Sequence, residues 1–238
     1  VNPRKHYSLK SCLVALNQPA DFILVEDLQD FNVKEVYVRG QLVAKDGSYL
    51  PDPKPISVIN NFQSRFIEKE ALSLSALTSQ LSVIHAIDGQ LITNKTSHPA
   101  YILDGCAVSD ARNDVLKIVV INRYQPSPPA IGFVCGFGLK AGAIASCVAH
   151  DSHNIIAVGV DDESLTTVIN KIIAQKGGIA ACLHQFVLGL ELPIAGIMSN
   201  LDGYSVAKTY SLIDHFVRTD LKSTLKAPFM TLSFMALP

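Results

Sequence analysis

The two short apolar runs at residues 143–149 and 155–160 constrain the fold of this chain more than any other feature. Each is apolar along nearly all of its length, which is typical of a strand buried inside a sheet. The stretch between them is polar at every position and consists of His150, Asp151, Ser152, His153 and Asn154. Because binding and catalytic groups are often displayed where strands end, this 150–154 loop is the first candidate for a functional site. The alternative is a polar turn whose side chains hydrogen-bond to their own backbone.

Three kinds of chemistry are open to the 150–154 loop. His150 and His153 could bind a metal, but two ligands fall short of the three or four that a metal site needs. A serine nucleophile is rejected because adjacent residues cannot aim their side chains at one another in a catalytic relay. Polar recognition is favoured, in which the side chains read the edge of a small planar ligand or hold an active-site water. The loop is therefore a candidate supporting part of a catalytic site, with no metal ligand assigned.

A second candidate follows the apolar run at residues 116–122. Arg123 offers a guanidinium at a predicted strand end, beside the phenol of Tyr124, and is a candidate substrate-binding residue. A charged surface pair is the alternative. The glycine-rich stretch 136–142 matches neither the GxGxxG nor the GxxxxGK[ST] pattern, and it predicts tight turns rather than a phosphate-binding loop.

The pattern along the chain predicts an α/β (α+β) fold in two parts. Residues 21–43 contain short strands with turns at Gly40 and Asp46-Gly47, which indicates a small antiparallel β module. The prolines between residues 51 and 55 predict a linker. From residue 56 onwards strand and helix signals alternate, and they predict a mixed sheet with helices over residues 164–176 and 205–219. The strands expected in this second part cover residues 82–87, 116–122, 131–137, 143–149, 155–160, 179–183 and 186–191.

Composition excludes several classes of partner. The formal net charge is -1, so the chain lacks the basic surface that binds nucleic acid or an anionic membrane. No apolar run has the length of a membrane span, and the first residues contain no apolar signal core. The five cysteines are scattered and form no CxxC pair, which is typical of buried free thiols in a reducing compartment. We therefore expect a cytoplasmic protein without nucleic-acid or membrane partners.

Two long motifs carry a resemblance to a known family. Residues 133–159, which include the Ala-His-Asp-Ser-His-Asn signature, and residues 192–199 resemble the C-terminal region of bacterial adenine deaminases of the amidohydrolase superfamily. Residues 2–7 and 19–28 resemble the same proteins where the chain leaves the barrel and re-enters a small β domain. The resemblance implies the end of the barrel and the β-sandwich module at residues 1–50, a linker at 51–55 and a C-terminal α/β domain at 56–238. Two positions depart from the family pattern, where Cys12 and Asn17 stand in place of expected glycines.

The resemblance also implies a function for the parent enzyme. That family hydrolyses adenine to hypoxanthine and ammonia with a metal-bound hydroxide, and its manganese, iron or zinc ligands lie on a (β/α)8 barrel and include an His-x-His pair. This sequence has no His-x-His and no room for a complete TIM barrel. We therefore expect a piece of such an enzyme, a truncated or split gene product or a fragment, that binds no cofactor itself. Its expected partners are a barrel domain or barrel-containing chain and further copies in a homo-oligomer.

Two hypotheses for the function of the chain follow. In the first, its 150–154 loop closes or supports the adenine site at the mouth of the barrel. In the second, the chain is a non-catalytic structural or interaction module, or a remnant without activity on its own.

Overall fold

The computed structural model describes residues 5–8, 14–52, 54 and 56–237. The chain divides into two compact units, Val1–Pro55 and Ile56–Pro238. Cys12 lies outside the described residues. Asn17, the other position at which the family pattern has glycine, adopts a φ of 64°, in the left-handed region that glycine enters most readily.

The first unit is a four-stranded sheet in the order β1-β2-β3-β4, with each neighbouring pair antiparallel. Tight turns at Arg39-Gly40 and Asp46-Gly47 connect the last three strands, and all four turn residues have positive φ, as two-residue hairpin turns require. The predicted small antiparallel module is confirmed, with β4 as a strand beyond those expected. The strands are β1 (Phe22–Val25), β2 (Val33–Val38), β3 (Gln41–Lys45) and β4 (Ser48–Tyr49).

The second unit is built on an eight-stranded sheet in the order β14-β13-β11-β12-β9-β10-β5-β6. Only β10 and β5 run parallel, so the predicted mixed sheet is confirmed. The strands are β5 (Gln80–Ala86), β6 (Thr93–Pro99), β9 (Leu116–Ile121), β10 (Ala130–Cys135), β11 (Ala143–Ser146), β12 (Ile155–Gly159), β13 (Gly178–Leu183) and β14 (Phe186–Glu191). A separate ribbon pairs β7 (Tyr101–Leu103) with β8 (Cys106–Val108).

Helices cover both faces of this large sheet. The α-helices are α1 (Asp162–Gln175), α2 (Gly203–Thr219) and α3 (Pro228–Phe234), and a 3-10 turn spans Lys69–Leu72. Alternate side chains of the central strands divide between two cores: Ile144 and Ile156 belong to the core that includes α2 and α3, whereas Ala145 and Ile155 belong to the core that includes α1. The strands around the 150–154 loop are therefore buried on both sides. Among the described residues, no helix has the length and apolar character needed to cross a membrane.

Four of the observed elements differ from the sequence-based predictions in ways that have a physical reason. The strand predicted over residues 143–149 ends at Ser146, whose Oγ accepts the Val148 N–H at 2.9 Å, and such local side-chain bonds compete with a strand ladder. Strand β6 was not predicted because it is a mostly exposed, polar edge strand without apolar alternation. Helix α3 was not predicted because it is only seven residues long. The helix expected from residue 164 begins earlier, since Asp161 is its N-cap and accepts the Ser164 N–H at 2.7 Å.

A buried thiol in this sheet predicts a pH dependence of stability. Burial raises the pKa of Cys182 from 9.0 to about 11, and its side chain has no exposed surface. Because the folded pKa lies above the unfolded one, the stabilisation is complete below about pH 9 and is lost as the pH rises towards about 11. We expect this thiol to lower the free energy of unfolding by about 2 kcal/mol across that range, measured by urea denaturation. The Cys182→Ala variant should show a correspondingly shallower decline, and an equally steep decline in the variant would contradict this origin.

Candidate functional site

The 150–154 loop connects β11 to β12, two antiparallel strands whose last pair is Ser146 with Ile156. Its backbone is held from both sides: the His150 N–H donates to the Ser233 carbonyl of α3 at 3.1 Å, and the His153 N–H donates to the Ala149 carbonyl at 2.7 Å. Residues of a late helix therefore support a loop that lies far earlier in the sequence.

The two imidazoles are the chemically distinctive groups of the loop. The rings of His150 and His153 have centroids 6.5 Å apart, and the ring of Phe234 lies 5.5 Å from that of His150. Both residues are partly buried, and the Nδ1 atom of each ring is buried without a hydrogen-bond partner among the described residues. Buried polar atoms in folded proteins normally have partners, so two unpartnered imidazole nitrogens at one strand connection mark a functional-site candidate. The separation of the rings allows one small ligand to contact both.

The remaining side chains of the loop have different surroundings. Asp151 and Ser152 are exposed, and the Ser152 Oγ lies 3.4 Å from the Asn154 N–H that it accepts. Asn154 is turned inward, because its Oδ1 accepts the N–H of Arg123 at 3.2 Å. The Ser152 side chain therefore makes the local hydrogen bond that is expected of a polar turn, and neither imidazole takes part in it.

Arg123 lies directly beside this loop, so the structure brings the two sequence-predicted candidates together. Its side chain is 5% exposed, its Nη1 donates to the Ala195 carbonyl at 2.6 Å, and its Nη2 donates to the Tyr124 hydroxyl at 2.9 Å. The Tyr124 hydroxyl donates in turn to the Ser152 carbonyl at 2.9 Å. The sequence left open that Arg123 is part of a charged surface pair. A guanidinium buried this deeply is not on the surface.

The base of the loop is apolar and holds a protonated thiol. Cys147 is fully buried, its Sγ donates to the Gly196 carbonyl at 2.6 Å, and burial raises its pKa although the nearby Arg123 opposes that shift. A thiol with a raised pKa is a poor nucleophile, so Cys147 serves as a packing and hydrogen-bonding group.

The described part of the chain contains no group of three or more His, Cys, Asp or Glu side chains that is placed to hold a metal ion. The metal that the family resemblance implies therefore does not fit these residues, and we derive no step through one.

Sequence reasoning missed the groups that surround the loop from distant parts of the chain. Ser233 and Phe234 belong to α3, and the Ala195 and Gly196 carbonyls belong to a turn closed by the bridge between Ile194 and Met198. Pro228, at the first turn of α3, is the one local signal that could have predicted this helix.

Comparisons with known proteins bear on the same region. The family model described as the adenine deaminase C-terminal domain matches residues 90–238. An adenine deaminase of Sulfurovum sp. (strain NBC37-1) is 46% identical over 237 residues, covering 100% of this chain and 43% of the relative. An adenine deaminase of Salinibacter ruber is 43% identical over 238 residues, covering 100% of this chain and 44% of the relative, and one of Methanosarcina acetivorans is 40% identical with the same coverage. The chain thus spans less than half the length of these relatives.

Proposed function

Because this chain belongs to the adenine deaminase family, we propose that it is the C-terminal part of an enzyme that hydrolyses adenine to hypoxanthine and ammonia. In this proposal a barrel, supplied by the remainder of the protein or by a partner chain, carries the reacting centre and any metal. The chain described above contributes the 150–154 loop, which closes or supports that site.

The observation that carries the proposal is that the buried Nδ1 atoms of His150 and His153, at one strand connection, have no hydrogen-bond partner in the described part of the chain. The polar edge of adenine presents ring nitrogens that accept hydrogen bonds and an amino group that donates them, so a pair of imidazoles can read it in either direction. An imidazole within hydrogen-bond reach of the exocyclic amino group, or of a water beside the amino-bearing carbon, can also hold the attacking water or pass a proton to the departing amine. His150, Asp151, Ser152, His153 and Asn154 are the residues to which we assign this supporting role. Arg123, which the sequence suggested for substrate binding, lies beside them, but its guanidinium donates to the Ala195 carbonyl and the Tyr124 hydroxyl, and we do not assign it to substrate binding.

A non-catalytic role for the isolated chain is the second candidate. The observation that favours it is the lack of any three-residue metal-holding group in the described parts of the sequence. In that case the chain is an interaction module, and the loop is a surface that docks on a partner.

The two functions are separated by an assay of ammonia release and hypoxanthine formation with adenine and added manganese. We expect turnover by the complete protein that contains this chain, and none by residues 1–238 alone. Mixing the chain with a separately expressed barrel should restore turnover if the two parts associate.

Either of two outcomes would contradict the proposal. A complete protein that folds but leaves adenine unchanged would refute the deaminase assignment. Turnover by the 238-residue chain alone would refute the division of the site between this chain and a barrel.

A further inference from the structure

Arg123 is a buried cation that has no carboxylate partner in the part of the chain that the structure describes. Its side chain is 5% exposed, and no Asp or Glu among the described residues lies within ion-pairing distance of its guanidinium. Aromatic faces replace the missing counter-charge: the guanidinium carbon lies 4.7 Å from the ring centre of Tyr124 and 6.0 Å from that of Phe62. Burying a charge without an opposite charge is costly, so the arginine needs an explanation beyond packing.

The guanidinium fixes the turn that supports the start of the 150–154 loop. Nη1 donates to the Ala195 carbonyl at 2.6 Å and passes so close to Gly196 that a Cβ there would overlap it. The Gly196 carbonyl accepts the Cys147 thiol at 2.6 Å, at the point where the chain leaves β11 for the loop. Arg123 is thereby connected to the first part of the loop.

The same residue and its neighbour also hold the middle and the end of the loop. The Arg123 N–H donates to Asn154 Oδ1 at 3.2 Å, and Nη2 donates to the Tyr124 hydroxyl at 2.9 Å. That hydroxyl donates to the Ser152 carbonyl at 2.9 Å. One phenol therefore connects the buried cation to the centre of the loop.

None of these bonds uses an imidazole. We propose that Arg123 and Tyr124 form a positioning pair. By holding the loop, the pair fixes the positions of His150 and His153 without itself contacting the substrate. The inference rests on the proposed deaminase function for its kinetic readout. Substituting a residue that positions the loop should change the affinity of the loop for its ligand, whereas substituting a purely structural residue should change only the fraction of folded enzyme.

Tyr124→Phe is the variant that tests the pair, because it removes only the hydroxyl and the ring is 40% exposed. Tyr101→Phe is the matched control, since Tyr101 is 47% exposed and its hydroxyl has no hydrogen-bond partner among the described residues. In the complete protein we expect Tyr124→Phe to raise the KM for adenine about fivefold with kcat changed less than about twofold, as the loss of one hydrogen bond that orients a binding group predicts. The control should retain wild-type values.

A second measurement does not depend on activity. Hydrogen–deuterium exchange of the complete protein, followed by mass spectrometry, should show faster uptake in the peptide covering residues 148–154 of Tyr124→Phe than of Tyr101→Phe. Unchanged uptake together with an unchanged KM would overturn the positioning role.

The two proposals fail in different ways. If a complete protein without adenine turnover still shows the exchange difference, the positioning pair stands and the deaminase function is wrong. If Tyr124→Phe has wild-type behaviour while His153→Ala loses activity, the function stands and the positioning pair is wrong. An effect of Tyr124→Phe on KM without an effect of His153→Ala would contradict a role exerted through the imidazoles.

Discussion

The Gly142→Ala variant is expected to lower the free energy of unfolding of this protein by about 3–5 kcal/mol, the largest stability loss among the substitutions considered. Gly142 is buried just before β11 and has a φ of 69°. A Cβ at this position would overlap the Cys182 carbonyl and would lie 2.9 Å from a methyl carbon of Leu221. The carbonyl cannot retreat, because Cys182 lies in β13 and that strand is paired on both sides.

A matched control separates backbone strain from collision. Gly105 has a φ of 77°, but a Cβ there would meet no atom within 4 Å. Gly105→Ala should therefore cost about 1 kcal/mol from the left-handed backbone alone. Urea denaturation followed by far-UV circular dichroism measures both variants, and equal losses would show that the close approach of β13 to Gly142 is not what requires glycine.

The parts of the fold that were predictable depend on local patterns. The apolar residues 155–159 indicated β12 without further information. The helix α1 was also predicted, although its predicted start at residue 164 lies after the observed start, which Asp161 caps. The 150–154 loop was recognised as a candidate site because polar residues interrupt two apolar runs. Such signals arise within a few residues of the chain, so a single sequence contains them.

The parts that were not predictable depend on contacts between distant segments. Lys117 lies within an apolar run, yet its side chain is only 1% exposed and its ammonium pairs with Asp162 at 2.6 Å, a partner that the packing of α1 on the sheet supplies. The buried guanidinium of Arg123 donates to the Ala195 carbonyl, a partner that lies 72 positions later in the sequence. Contacts between distant segments also determine the strand order, the parallel pairing of β10 with β5, and the contact of α3 with the loop. Hydrophobic periodicity indicates which face of an element is buried, but it does not indicate which element covers that face.

The largest effects on activity are expected from substitutions in the 150–154 loop. If its imidazoles meet adenine, removing either ring should cost the enzyme a hydrogen bond or a proton-transfer group at the reacting edge. We expect His150→Ala and His153→Ala to lower kcat/KM for adenine by about 10–100-fold each. Asp151→Ala should have the smaller effect of about twofold to fivefold, because its carboxylate is exposed and has no hydrogen-bond or ion-pair partner in the described structure.

A matched histidine variant provides the control for this series. His215 is exposed on α2, and among the described residues no hydrogen bond or ring contact joins its side chain to the loop. His215→Ala should keep wild-type kinetics, and the loop variants should keep the wild-type circular dichroism spectrum, so that a loss of activity cannot be assigned to unfolding.

The most direct test of the central claim is the kcat/KM for adenine of the complete protein carrying His150→Ala or His153→Ala, measured by hypoxanthine formation beside His215→Ala. A fall of about 10–100-fold confined to the two loop variants is the result that a supporting role at the adenine site predicts. Wild-type kcat and KM in both loop variants would contradict it, and would leave the loop as a polar connection between β11 and β12.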